Sequence, residues 1–249
     1  MDFQKTESMS SVSSHYKAEA AELYSTWQVR SCDSLGVEAA RRFQPYIERG
    51  DVCLDFGCGG GGILVALEVG KRIGVEPNPV SRELASKRGI ETVSSLDEIP
   101  DESIDIIISN HALEHCRRPF DEVVAMRRVL RHESKVVLVL PMDDWRRSRS
   151  YHTRDINHHL YAWTPLHIGN LLTDAGFEID SIEIVRHAYP RGAGFLWQYL
   201  PEVVFDAICR CWSVFALMRQ IRVVARPSHS QQHSDTGPIP SSTLRSAAN

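Results

Sequence analysis

Apolar positions along the chain gather into short continuous runs that alternate with segments of helical period. The runs Val52–Phe56, Lys71–Glu76, Gly89–Val93, Ser103–Ser109 and Ser134–Leu140 read as strands, the fourth so evenly apolar that both its faces must be covered. Between and after them, Ile63–Val69, Pro79–Arg88, the segment opened by Pro119 and Thr164–Gly176 carry helical spacing. Asp121 and Glu122 stand in the first turn after Pro119, and Arg127, Arg128, Arg131 and His132 stand toward its end, an order that complements the helix dipole. Strands at Glu178–Val185 and Ile221–Ala225 follow, with a helix expected over Pro201–Arg219. The sequence therefore predicts an α/β fold: a doubly wound, mostly parallel seven-stranded sheet with helices on both faces and a helical insertion at about 190–219 before the last strand.

On the predicted Pro201–Arg219 helix, Glu202, Asp206, Arg210 and Ser213 form one narrow polar stripe, and the rest is apolar. That pattern predicts burial of most of its circumference. Core packing, a homodimer interface, an apolar acceptor pocket and a membrane surface all stay open as the covering partner. Upstream, Tyr16, Leu23, Tyr24 and Trp27, then Leu35–Ile47, recur at helical spacing. Residues 1–14 and 227–249 are polar and rich in Ser, or in Ser, Pro and His, and are expected to be disordered around one domain at 15–226.

The 249 residues, 43% of them hydrophobic, suit one sizeable domain with appendages, and a net charge of −4 gives no bulk attraction to nucleic acid or anionic membrane. Six cysteines without a CxxC pair, no leader-like apolar run and no membrane-length apolar stretch point to a reduced, cytoplasmic protein.

Chemistry concentrates at Asp51–Gly62, DVCLDFGCGGGG, where a strand runs through glycines straight into a helix. Bare backbone and the N–H groups of a helix start suit a nucleotide-type ligand. Gly57, Gly59 and Gly62 also satisfy the dinucleotide fingerprint. Asp55, two positions earlier, would place a negative charge against a pyrophosphate, and instead suits a ligand bearing an ammonium group. Glu76, 21 positions after Asp55 at the end of the second strand, is placed to accept from ribose hydroxyls.

The pattern Asp55-x-Gly57-x-Gly59-x-Gly61, the segment IPDESIDIIISNHALEH and the AGF ending of the later helix resemble the small-molecule branch of the class I S-adenosylmethionine-dependent methyltransferases, over about residues 45–190. The resemblance implies S-adenosylmethionine as cofactor, contacted by Asp55, Gly57, Cys58, Gly59, Gly61, Glu76, Pro77, Asn110 and His111. It implies methyl transfer to a small acceptor, anionic or partly apolar; His111 and His115, just past the fourth strand, and His159 of the long loop are the catalytic candidates on position alone, and no metal ligand is assigned. Ser95 stands where the family often has an acidic adenine contact, which leaves Asp97 or a backbone carbonyl for that task.

The long segment Pro141–Trp163 reads as a lid or binding loop carrying Arg146, Arg147, Arg149, Arg154, His152, His158 and His159. A solvated basic run and an anion site fit it equally. His111-x-x-Glu114-His115 with His159 also resembles the metal-ligating pattern of small-RNA 2′-O-methyltransferases, with His111 in place of that family's Glu: two ligands at i and i+4 on one helical face would bind a divalent metal together with a distant His. A metal-dependent RNA methyltransferase and a non-catalytic, methyltransferase-like binding protein are the alternatives.

Overall fold

The computed structural model describes residues 35–142, 146, 150–151, 158–190 and 192–228. The expected helix around Tyr16–Trp27, the polar ends (1–14 and 229–249), and Asp143, Asp144, Arg147, Arg149, His152 and Arg154 lie outside the described residues.

Seven strands form one sheet: β1 (Val52–Phe56), β2 (Lys71–Val75), β3 (Glu91–Val93), β4 (Ile104–Asn110), β5 (Leu130–Met142), β6 (Phe177–Val185) and β7 (Arg219–Pro227), in the order β3-β2-β1-β4-β5-β7-β6. The first five pair parallel, and β7 runs antiparallel between β5 and β6. Among the described residues, seven α-helices cover it: α1 (Gly36–Phe43), α2 (Gly62–Ala66), α3 (Pro79–Lys87), α4 (Pro119–Val129), α5 (Pro165–Asp174), α6 (Ala193–Tyr199) and α7 (Glu202–Phe215).

The unbroken apolar strands are explained by two cores. Leu54, Ile107, Val136, Leu138 and Leu140 pack with Val123 and Met126 of α4 and Ile168 and Leu172 of α5 on one face. Cys53, Ile106, Ile108, Val137 and Val139 meet Ala40 and Phe43 of α1, Leu64 of α2 and Ala85 of α3 on the other. Each face claims alternate residues, so the middle of the central strands is almost wholly apolar, and polar residues such as Asp55, Ser109 and Asn110 fall toward the carboxyl ends.

Local chemistry starts the helices where the sequence placed them. Asn78 accepts from the Val80 amide at 3.0 Å with Pro79 at the first helical position, and Thr164 accepts from the His167 amide with Pro165 likewise. Past the end of α5, the left-handed Gly176 (φ 83) turns the chain into β6, and its carbonyl accepts from Arg127 Nε at 2.9 Å.

Four expectations are corrected. The helix after the glycines stops at Ala66, because Leu67 turns extended (ψ 140) and buries its side chain. The segment Leu113–His115 is a single 3-10 turn and not an α-helical face, so His111 and His115 are not set one α-turn apart. The insertion holds two helices, the second ending at Phe215, and Arg219 belongs to β7.

The fourth correction concerns α7. Only Phe205, Cys209 and Ser213, four residues apart, are buried, while Val203 and Phe215 are 79% and 84% exposed. The polar stripe did not mark the outward face: Ser213 satisfies its hydroxyl on the Arg210 carbonyl at 2.9 Å and goes inside. Phe205→Ala is accordingly expected to cost about 3–5 kcal/mol and Phe215→Ser no more than about 0.5 kcal/mol in urea unfolding.

Candidate active site

In open α/β sheets ligands bind beyond the carboxyl ends of the strands. Asp55, Glu76 and His111 all stand there, at or just past the ends of β1, β2 and β4. Parallel pairing sets Asp55 opposite Gly74 on β2 and Ile108 on β4.

The turn after β1 is sewn onto β2. The Gly57 and Cys58 amides donate to the Val75 carbonyl at 2.8 and 3.2 Å, and the Gly59 amide donates to Glu76 Oε2 at 2.9 Å. Glu76 Oε1 accepts from the Asn78 amide at 2.8 Å, and Arg82 holds the Glu76 carbonyl at 2.7 Å. Glu76 is thus fixed by backbone groups on both sides, and a carboxylate keeps further acceptor capacity for hydroxyl donors.

Gly57 takes a left-handed φ of 79, and a Cβ there would lie 2.4 Å from Ala112 Cβ. The glycine loop and the segment after β4 therefore touch at a point that admits no side chain. Cys58 fills the space above Gly74 from the buried side and is a packing residue of the turn. Pro77 and Asn110 are half-buried beside Glu76 and at the last position of β4.

Asp55 is 2% exposed, and its Oδ1 has no hydrogen-bond partner. Desolvation, reinforced by the Glu76 charge, raises its pKa to about 7. Glu76 rises to about 6, again through burial, with the Asn78 and Gly59 amides pulling the other way. Two buried carboxylates near enough for the Glu76 charge to act on Asp55 favour a cationic group beside them.

A second constellation follows β4. His111 has a left-handed φ of 56, which costs an L-residue about 1–2 kcal/mol, and its amide bonds the Val139 carbonyl at 2.9 Å. The Glu114 carboxylate is fully buried, 3.6 Å from His111 Nδ1, 3.9 Å from His115 Nε2 and 4.0 Å from His159 Nε2. The Leu160 amide bonds the Glu114 carbonyl at 2.9 Å and brings the end of the long loop against this turn, where the His115 and His159 rings meet edge to face at 5.0 Å. The structure thus gathers all three histidines singled out in the sequence around one acid. Arg146 is exposed, and His158 has a left-handed φ of 46.

Ser95 caps a short turn reciprocally with Glu98, and Asp97 is exposed. Sequence reasoning missed Arg82 and Ala112, the first because its partner is a backbone carbonyl and the second because a small apolar residue carries no chemical signal.

The strand order with its antiparallel β7, the glycine turn after β1 and the acid at the end of β2 define a class I S-adenosylmethionine-dependent methyltransferase fold. The chain belongs to the methyltransferase domain family, whose model matches residues 30–182. No curated protein sequence matches the chain. Among solved structures it is similar to a Haloferax volcanii chain from the complex with the Trm112 methyltransferase activator, at 16% identity over 85% of this chain and 99% of that one, with a TM-score of 0.63. It is also similar to a SAM-dependent methyltransferase from Archaeoglobus fulgidus, at 20% identity over 82% and 99% of the two chains and a TM-score of 0.58. Geranyl diphosphate C-methyltransferase from Streptomyces coelicolor is similar at 14% identity over 78% and 77%, with a TM-score of 0.54.

Proposed function

We propose that this chain transfers a methyl group from S-adenosylmethionine to a small-molecule acceptor. The observation that carries the reading is the buried Asp55 carboxylate, with Oδ1 unpartnered beside a glycine turn whose amide is held by Glu76. Asp55 takes the ammonium of the methionine end, Glu76 accepts from the ribose hydroxyls, and the backbone of Gly57, Cys58, Gly59 and Gly61 lets the ligand lie close. Pro77, Asn110 and His111 border it.

The cofactor supplies an electrophilic methyl on a sulfonium, so the chain's own tasks are alignment and proton removal. His111, His115 and His159 are the bases available, with Glu114 fixing their orientation and steadying an imidazolium once formed.

Calorimetric titration with S-adenosylhomocysteine, with NAD alongside, tests the cofactor. Micromolar binding of the first and none of the second is expected, and the reverse overturns the reading. Turnover is then sought with small acids and lipids. Retained cofactor binding with no turnover on any acceptor supports the binding-protein alternative.

A second reading, metal-dependent methylation of an RNA 2′-hydroxyl, is favoured by one observation: Glu114, His115 and His159 offer ligand atoms within 4.8 Å of one another. Those three side chains fit a divalent ion, which would there polarise the acceptor oxygen. Strict metal dependence of methyl transfer to a short RNA, lost in Glu114→Gln, would mark it.

A further inference from the structure

A second cluster of buried ionisable groups lies away from the glycine turn, where α1 meets the insertion. Glu38 of α1 and His187, two residues past β6, are 5% and 7% exposed, and Asp206 of α7 completes the group. His187 Nε2 stands 3.5 Å from Glu38 Oε1 and 3.8 Å from Asp206 Oδ1, and neither ring nitrogen has a hydrogen-bond partner. A buried imidazole with two idle nitrogens is costly, on the order of 1–3 kcal/mol for each unsatisfied group. Something is expected to fill the space between it and the carboxylates.

The distances choose the occupant. An imidazolium sealing the pair by itself would close to about 2.8 Å on a carboxylate, and here both stand off. An ammonium donating at about 2.8 Å would spread its acceptors to about 4.6 Å apart. Ligands at about 2.0–2.2 Å from a tetrahedral ion lie about 3.3–3.6 Å from one another, which is the separation His187 keeps from the two oxygens to within a few tenths of an ångström. We propose that Glu38, His187 and Asp206 bind one divalent ion of the zinc class, joining α1 to the segment after β6 and to α7.

The Glu38 carboxylate is held as a ligand would be. Arg42 holds both oxygens of Glu38, Nε on Oε1 at 3.1 Å and Nη2 on Oε2 at 2.6 Å, and the Tyr189 hydroxyl bonds Oε2 as well. Ligating carboxylates are characteristically fixed in this way by a second layer of donors. Arg42 offsets one of the two carboxylate charges, and Arg210, exposed on α7, is the other cation that acts on His187. Arg42 also reaches Gln220 at 3.3 Å, and Gln220 pairs with Pro141 at the carboxyl end of β5, so the ion would clamp the insertion over the ligand-binding edge of the sheet. Three ligands leave a fourth position, on the side of Asp206, which is the most exposed of the set.

The full chain, stripped with a chelator, is titrated with zinc against a chromophoric indicator. One equivalent is expected, with affinity lowered at least about tenfold in Asp206→Asn, abolished in His187→Gln and unchanged in Glu114→Gln. Zinc should raise the melting temperature of the wild type more than that of Asp206→Asn at the same zinc concentration. Asp206 is partly exposed, so this variant carries the test if His187→Gln does not fold, and its S-adenosylhomocysteine affinity reports separately on the cofactor site. No zinc uptake by the wild type, equal uptake by Asp206→Asn, or loss of the equivalent in Glu114→Gln would overturn the assignment.

Discussion

Asp55→Asn is expected to lose S-adenosylhomocysteine binding by at least about a hundredfold while making the folded chain more stable above pH 7. Both effects have one cause. A carboxylate whose folded pKa is raised to about 7 resists ionising inside the protein, so the native state binds a proton that the unfolded state has already released. Its contribution to stability is therefore neutral at low pH and turns unfavourable as pH climbs from the ordinary carboxylate range through 7. The amide removes that cost, and the difference between the two chains should vanish at pH 4 and be full at pH 8 in urea titrations. The ligand's ammonium reverses the balance by pairing with the ionised form. Wild-type affinity should strengthen by about tenfold per pH unit approaching 7 and level off above it, whereas the Asp55→Asn variant should lack that slope. A variant that binds as tightly as the wild type would remove Asp55 from the site.

Gly57→Ala is the second large effect. The left-handed backbone at this position costs an L-residue about 1–2 kcal/mol, and the new methyl would overlap the Ala112 methyl at 2.4 Å, a contact with no flexible end to move aside. A loss of about 2–5 kcal/mol is expected, together with displacement of the turn that carries His111 and Glu114. By comparison, Gly61 also has a left-handed φ, of 81, but a Cβ there would meet the movable tip of Ile90. Urea unfolding and histidine NMR shifts of Gly57→Ala check both parts; a stable protein with unshifted histidines would show that the two halves of the site are not joined there.

Much of this architecture is legible without coordinates, for identifiable reasons. Ile104–Ile108 is apolar at almost every position because alternate residues serve opposite cores, and glycine and acid at strand ends have few other uses. The convergence of His159 on Glu114 is different. It depends on the Leu160 amide finding the Glu114 carbonyl across a long stretch of chain, and spacing along a sequence does not encode that closure. The α7 stripe misled for a related reason. A serine that satisfies itself on its own helix is as good a core residue as alanine, while Phe215 stays outside for want of a surface to cover it. The Glu38, His187 and Asp206 cluster was equally silent, since each residue alone is unremarkable and only the packing of three distant segments brings them together.

The place of β7 also governs the order in which the sheet can be completed. It is the last of the seven strands in sequence, yet it is an interior strand, hydrogen-bonded to β5 on one side and β6 on the other. Until β7 has emerged from the ribosome, β5 and β6 each present an open backbone edge with no strand to close it. A nascent chain halted before Arg219 would have both cofactor-binding strand ends in place and still be prone to pair with a neighbour. In this fold the ligand-binding half of the sheet is written first, and its protection from aggregation is written last.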